Sequence, residues 1–132
     1  MPAQQYNFPI EQGSSFELAI TYTDNDGNPI DLTGWCGRII VTKDNNTVDT
    51  FVTTNTNLAL YKFSIDAPNG KLFLQIPASV TNNYTYKLGK YDLELESDEE
   101  IYTGGGKDIR RLLYGNITII KRYSKTPNLL DC

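Results

Sequence analysis

The chain has 132 residues, 39% hydrophobic and 21% charged, a size that fits one domain able to bury a single core without metals or disulfides. A formal net charge of −4 and a pI near 4.7 exclude a general nucleic-acid binder, which depends on an excess of Lys and Arg to neutralise phosphates. The lack of any histidine removes Ser-His-Asp and Cys-His catalysis and any ordinary zinc site.

The opening "MPAQQYNFPIEQG" has neither the positive n-region nor the continuous apolar stretch of a signal peptide, and no run approaches the roughly 18 apolar residues of a membrane helix. The expectation is a soluble protein that folds in a cytoplasm, with no membrane and no nucleic-acid partner. In such a compartment Cys36, beside Trp35, and Cys132, the last residue, read as one buried thiol and one tail thiol rather than a bridge.

Tyr, Thr, Ile and Val are prominent and alanine is scarce, which favours strands. In "SFELAITYTD" the residues Phe16, Leu18, Ile20 and Tyr22 share one face, the period of two that marks a strand with one side buried. "DNDGNP" follows, with Asp26-Gly27 suited to a tight turn. Asp24, Asp26 and Asp31 cluster there, yet an EF-hand needs glycine at its sixth position and a bidentate Glu at its twelfth. Counting from Asp24, the chain offers Gly27 at the fourth and Trp35 at the twelfth. The stretch therefore reads as a hairpin turn, with a looser calcium site as the alternative.

"WCGRIIVTK" places Trp35, Ile39 and Val41 on one side of a second strand. "TVDTFVTT" supplies a short strand with Phe51 opposite Val48 and Thr50, and "NTNLALYKFSID" a loop and a further short strand. In "APNGKLFLQIP", Pro68, Asn69 and Gly70 form a turn before Leu72, Leu74 and Ile76 alternate with polar positions. "ASVTNNYTYKLG" fits either one helical turn or a polar loop. "KYDLELES" sets Tyr91, Leu93 and Leu95 against Asp92, Glu94 and Glu96; the acidic "DEE" and "TGGGKD" read as a long turn, followed by strands in "IRRLLYG" and "NITIIKRY".

Short strands at this spacing, without an amphipathic helix between them, give an all-β fold: a single antiparallel, immunoglobulin-like β-sandwich. Its expected limits are an extended N-terminal segment over about residues 1–11 and a C-terminal tail over about residues 123–132.

No constellation in this sequence supplies a reactive centre, so the chain reads as non-enzymatic and without a cofactor. Asp92, Glu94 and Glu96 lie about 6–7 Å apart along one strand face, near the spacing of a glycosidase pair, but alternation with apolar residues makes them the wet side of a sheet. "GGGK" lacks the Ser or Thr that must follow the lysine of a phosphate loop, since Asp108 stands there. Arg110 and Arg111 follow the acidic cluster, so strand pairing brings opposite charges together, an arrangement that helps fix register and suits an interface. Nine tyrosines, among them Tyr84, Tyr86, Tyr91, Tyr102, Tyr114 and Tyr123, serve core and interface, with stacking on sugar rings as the alternative.

The segments "YNFPIEQGSSFELAITYTDNDGNPIDLTGW", "NGKLFLQIP", "LGKYDLELES" and "IRRLLYGNITI" resemble small β-sandwich domains of bacteriophage virion proteins, in particular the N-terminal domain of upper baseplate proteins. The recurring phrase is "D-G-x-P-x-D-L-T-G", then "G-x-Y-x-L-E-L", then "R-L-L-x-G-x-I-x-I", and it covers most of residues 5 to 122. The resemblance implies a structural protein of the virion, made in the host bacterial cytoplasm. It would be present in several copies, as a homo-oligomer, and would contact tail, baseplate, fibre or capsid proteins. Those baseplate proteins continue into further domains, whereas this chain stops after "SKTPNLLDC", which implies a freestanding adaptor joining fibres or other tail parts. A capsid decoration protein and a carbohydrate-binding module for host glycans are the alternatives. Edge strands and termini are the expected contacts, with Tyr6, Phe8, Arg110, Arg111, Tyr123, Leu129 and Leu130 as interface residues.

Overall fold

The alternating segments assemble into two packed sheets in a computed structural model that describes residues 3–102 and 104–123, with only the backbone of residues 101 and 102. The larger sheet runs β1 (Gln4–Gln5) and β2 (Phe8–Glu11) along β9 (Gly106–Ile120), then β8 (Leu88–Tyr102), β4 (Trp35–Lys43) and β5 (Asn46–Val52). The smaller sheet is β3 (Phe16–Thr21), β7 (Lys71–Ile76) and β6 (Lys62–Asp66), in that spatial order. Every neighbouring pair is antiparallel except β1 and β2, which run parallel to β9. In the letters used for immunoglobulin-like sandwiches, β3, β7 and β6 occupy the places of B, E and D. β4, β8, β9 and β5 occupy those of C, F, G and C′. The all-β sandwich expected from the sequence is the fold observed.

The core is the product of the period of two. Leu18, Phe63, Leu72, Leu74 and Ile76 of the small sheet face Ile39, Val41, Leu93, Leu95 and Ile117 of the large one, all buried. Each such side chain contributes about 1.5–3 kcal/mol over its exposed state. Gly37 leaves room in β4 for Leu72 and Phe63, whose side chains come within 3.5 Å of where its Cβ would stand. Between β4 and β5 the chain reverses through Asp44 and Asn45, with φ of 51° and 66°, the left-handed pair of a two-residue hairpin turn. The stretch that fits either a helical turn or a loop forms the single turn α1 (Ala78–Thr81). Its buried Thr81 hydroxyl donates to the Ser14 carbonyl at 2.8 Å and accepts the Gly13 N–H at 3.1 Å, tying α1 to the turn between β2 and β3.

One expectation is corrected. The acidic "DEE" is not part of a turn, because β8 continues to Tyr102 and pairs with β9 in a hairpin of two 15-residue strands. Register shifts break that pairing after Leu93 and after Glu96. At the second, the Ser97 hydroxyl donates to the Glu99 carbonyl at 2.9 Å and accepts the Asp108 N–H at 2.8 Å, replacing the missing ladder bonds with side-chain ones. The described part of the extended N-terminal segment lies along its own chain, since β1 and β2 hold one continuous register against β9 from Gln4↔Leu113 to Glu11↔Ile120.

That parallel pairing is fixed at one place. Tyr91 of β8 stands opposite Gly115 of β9, and the register of β1 and β2 puts Tyr6 on the far side of the same glycine. The Tyr91 hydroxyl reaches past Gly115 to the Tyr6 carbonyl at 2.5 Å. Asn7 Oδ1 accepts the Asn116 N–H at 2.9 Å, a bond the displaced Tyr6 carbonyl would otherwise make. A Cβ on residue 115 would overlap the Tyr6 carbonyl and lie 2.7 Å from Asn7 Oδ1. Gly115→Ala is therefore expected to lower stability by about 1–3 kcal/mol, read as a lower denaturant midpoint at unchanged slope. An unchanged midpoint would contradict the close approach.

Candidate interaction surfaces

Alternation sends every second residue of β4, β8 and β9 to the outer face of the large sheet, and register decides which of them meet. Arg38 lies opposite Glu94; its guanidinium reaches Glu94 Oε2 at 3.5 Å and Glu96 Oε2 at 3.6 Å. Arg111 of β9 reaches across to Asp92 Oδ1 at 2.6 Å, and its guanidinium lies 4.4 Å from the centre of the Tyr114 ring. The three carboxylates of "DLELE" are thus each held by an arginine. The expected pairing of the acidic strand with the arginine strand is present at Arg111. Arg110 instead bonds Asp108 on its own strand at 3.1 Å and covers the Trp35 ring at 5.3 Å.

Exposed pairs of this kind contribute about 0.2–1 kcal/mol each, so the ladder sets orientation more than stability. Charges of both signs are thus held in position on this face. Arg38, which supplies two of the contacts, stands out in sequence only as a lone cation inside an apolar strand. Cys36 also lies on this outer face, opposite Glu96 and half-buried, rather than in the core.

Beyond the last pairing of β4 with β8, at Trp35↔Ser97, the β8–β9 hairpin continues without a third strand among the described residues. Its described residues there, Asp98 to Glu100 and Gly104 to Lys107, are all exposed. A two-stranded ribbon with an acidic strand therefore projects from the sandwich. Ile109, 50% exposed, stands at its base on the same face as the charge ladder.

The other expected interface residues separate. Tyr6 is 47% exposed and Tyr123 is 97% exposed. Phe8 is not at the surface: it is buried, stacked on Phe16 at 5.3 Å and tilted against Tyr91 at 5.0 Å. Leu129 and Leu130, like Cys132, lie outside the described residues, as does the side chain of Tyr102.

The Asp24 cluster is a turn in its hydrogen bonding. Asp24 Oδ1 accepts the N–H groups of Asp26 at 2.9 Å and Asn28 at 3.0 Å, and Thr23 bridges Pro29. Asp31 Oδ1 accepts both the N–H and the hydroxyl of Thr33, at 2.9 and 2.6 Å; these bonds hold its carboxyl below the usual range. The carboxylates of Asp24 and Asp31 are engaged with their own backbone, in keeping with the hairpin reading.

The tyrosines do not form one platform. Tyr61, Tyr86 and Tyr91 are buried in the core, and Tyr84 packs tilted against Tyr86 at 5.6 Å. The Tyr84 hydroxyl is enclosed beside Asp49. Burial and the Asp49 charge hold both phenols above their usual range, and burial likewise raises the Asp49 carboxyl. Lys43, Val48 and Asn83 complete an open groove beside the two rings.

No protein-family model matches the chain, and no curated protein matches it.

Asp49 supplies a pH test. Its folded value lies above its unfolded one, so in the interval between them the folded protein keeps a proton that the unfolded chain has released. That contribution is gained as pH falls through the folded value and is absent at neutral pH, where the buried charge costs stability. Asp49→Asn keeps the acceptor for the Thr50 N–H and removes the charge. Thermal melts should show it more stable than the native chain at pH 7, with the difference shrinking toward about pH 4. A variant less stable at neutral pH would contradict the assignment.

Proposed function

We propose that the chain is a non-enzymatic structural component of a bacteriophage virion, placed in the tail or baseplate, where it joins fibres or other tail parts to their neighbours. The observation that carries this reading is the β8–β9 ribbon rising from a face whose charges are set in register. The described residues of the ribbon beyond Ser97, from Asp98 to Glu100 and from Gly104 to Lys107, are exposed, which is poorly explained by fold stability and well explained by a contact with another chain. Arg38, Arg111, Tyr114 and Trp35 beside it are residue types enriched where proteins meet.

The sequence phrase that resembles baseplate domains supports the same reading on architectural grounds. Asp26-Gly27 makes the hairpin turn, Asp31 and Gly34 shape the entry into β4, and Leu32 is buried in the core. Gly115 admits the first strand. Repetition of the domain around a symmetric particle would make modest contacts cooperate, because each additional contact forms at high effective concentration.

Gold labelling of the chain in intact phage particles, viewed by electron microscopy, tests the proposal. Label is expected at the tail or its tip. Label confined to the head would transfer the chain to capsid decoration, and particles without label would remove it from the virion. A glycan array separates the sugar-binding alternative, which requires saturable binding that is lost on Tyr84→Ala.

A further inference from the structure

Apart from the β8–β9 ribbon, four strand edges among the described residues face solvent, those of β2, β5, β6 and β3, and the first three are closed or short. On β2 the outward-facing Pro9 has no N–H to offer. On β5 the two outward N–H groups are taken, Val52 by the Tyr61 hydroxyl at 3.1 Å and Thr50 by Asp49 Oδ1 at 3.0 Å. On β6 only Phe63 and Ile65 face outward, because alternate residues bond to β7.

β3 differs. Among the described residues it pairs with β7 alone. The Tyr22 N–H donates to the Gly70 carbonyl at 2.8 Å, which fixes the phase of the ladder: Phe16, Leu18 and Ile20 bond inward. The N–H and C=O groups of Glu17, Ala19 and Thr21 therefore point away from the sheet. Their side chains are exposed as well.

We infer that β3 is a homodimerisation edge, pairing antiparallel with β3 of a second copy to join two small sheets into one of six strands. The occupant is a second copy because the edge complements itself. A twofold axis through Ala19 is the register that pairs all three open residues, and it sets Glu17 of each copy opposite Thr21 of the other. A carboxylate then meets a hydroxyl, no like charges face each other, and the small Ala19 side chain meets its own copy on the axis. Sliding the register until Glu17 meets Glu17 would leave Ala19 and Thr21 opposite residues outside the strand and oppose two carboxylates. On the inner side the same register brings Phe16 of one copy opposite Tyr22 of the other. Tyr22 there borders a cleft of about 130 Å³ lined by Ile20, Leu112 and Leu113. Covering it removes from water a cleft between β3 and β9 of mixed lining, in which Gln4, Thr21, Thr23 and Arg111 stand beside the apolar residues. The inference does not depend on the virion reading, since it rests on β3 alone.

Sedimentation velocity of the full chain over a dilution series tests it. A monomer–dimer equilibrium is expected. Thr21→Glu, which sets two carboxylate pairs against each other, should weaken association about tenfold, and Thr21→Lys should tighten it by a similar factor at low salt. Adding Glu17→Lys to Thr21→Glu should restore the dimer. All these positions are exposed, so thermal melts should show folded protein throughout. A native chain that stays monomeric to millimolar concentration overturns the inference. So does a dimer indifferent to these substitutions, because its contact lies elsewhere.

Discussion

The sheet that the N-terminal strand joins determines the rest of the molecule. In a sandwich of this topology the first strand can add to either sheet, and here a single constellation commits it to the larger. Gly115 gives the space, the Tyr91 hydroxyl binds the Tyr6 carbonyl, and Asn7 completes the ladder that this displacement interrupts. Phe8 then enters the core against Phe16 and Tyr91. The large sheet closes on a proline-bearing edge, and the small sheet is left with an uncovered strand. What looks like a local detail at residue 115 thus decides which surface of the molecule is unfinished.

The two surfaces that follow have different physics. The outer face of the large sheet carries ion pairs whose members are held by strand register, so its contribution lies in recognition and is sensitive to salt. The ribbon beyond Ser97 extends that face away from the core without burying it. The edge of β3 offers main-chain groups whose value depends on a partner strand and hardly at all on ionic strength.

Much of this was legible in the amino-acid order. The period of two identified the inner residues of β3, β4, β7 and β8, and the Asp-Gly and Pro-Asn-Gly signals marked real turns, because both are local consequences of backbone geometry. Non-local features were not legible. Nothing in residues 4–11 announces pairing with residues 113–120, since parallel partners so distant in sequence leave no local pattern, and Phe8 was assigned to the surface for that reason. The "DEE" segment carries the composition of a loop; it is a strand because Ser97 and the opposite strand supply its hydrogen bonds. The partners of Arg38 and the enclosure of the Tyr84 hydroxyl beside Asp49 depend on register, which a single sequence does not encode in readable form.

Amide hydrogen exchange, resolved by residue in dilute solution, tests the placement of the first strand most directly. Protected amides at Tyr6, Phe8, Ile10 and Gln12, together with rapid exchange at Glu17, Ala19 and Thr21, are the pattern this arrangement predicts. Slow exchange at Glu17, Ala19 and Thr21 in the monomer, with Tyr6 and Ile10 exchanging freely, would show the N-terminal segment on the other sheet and contradict the account.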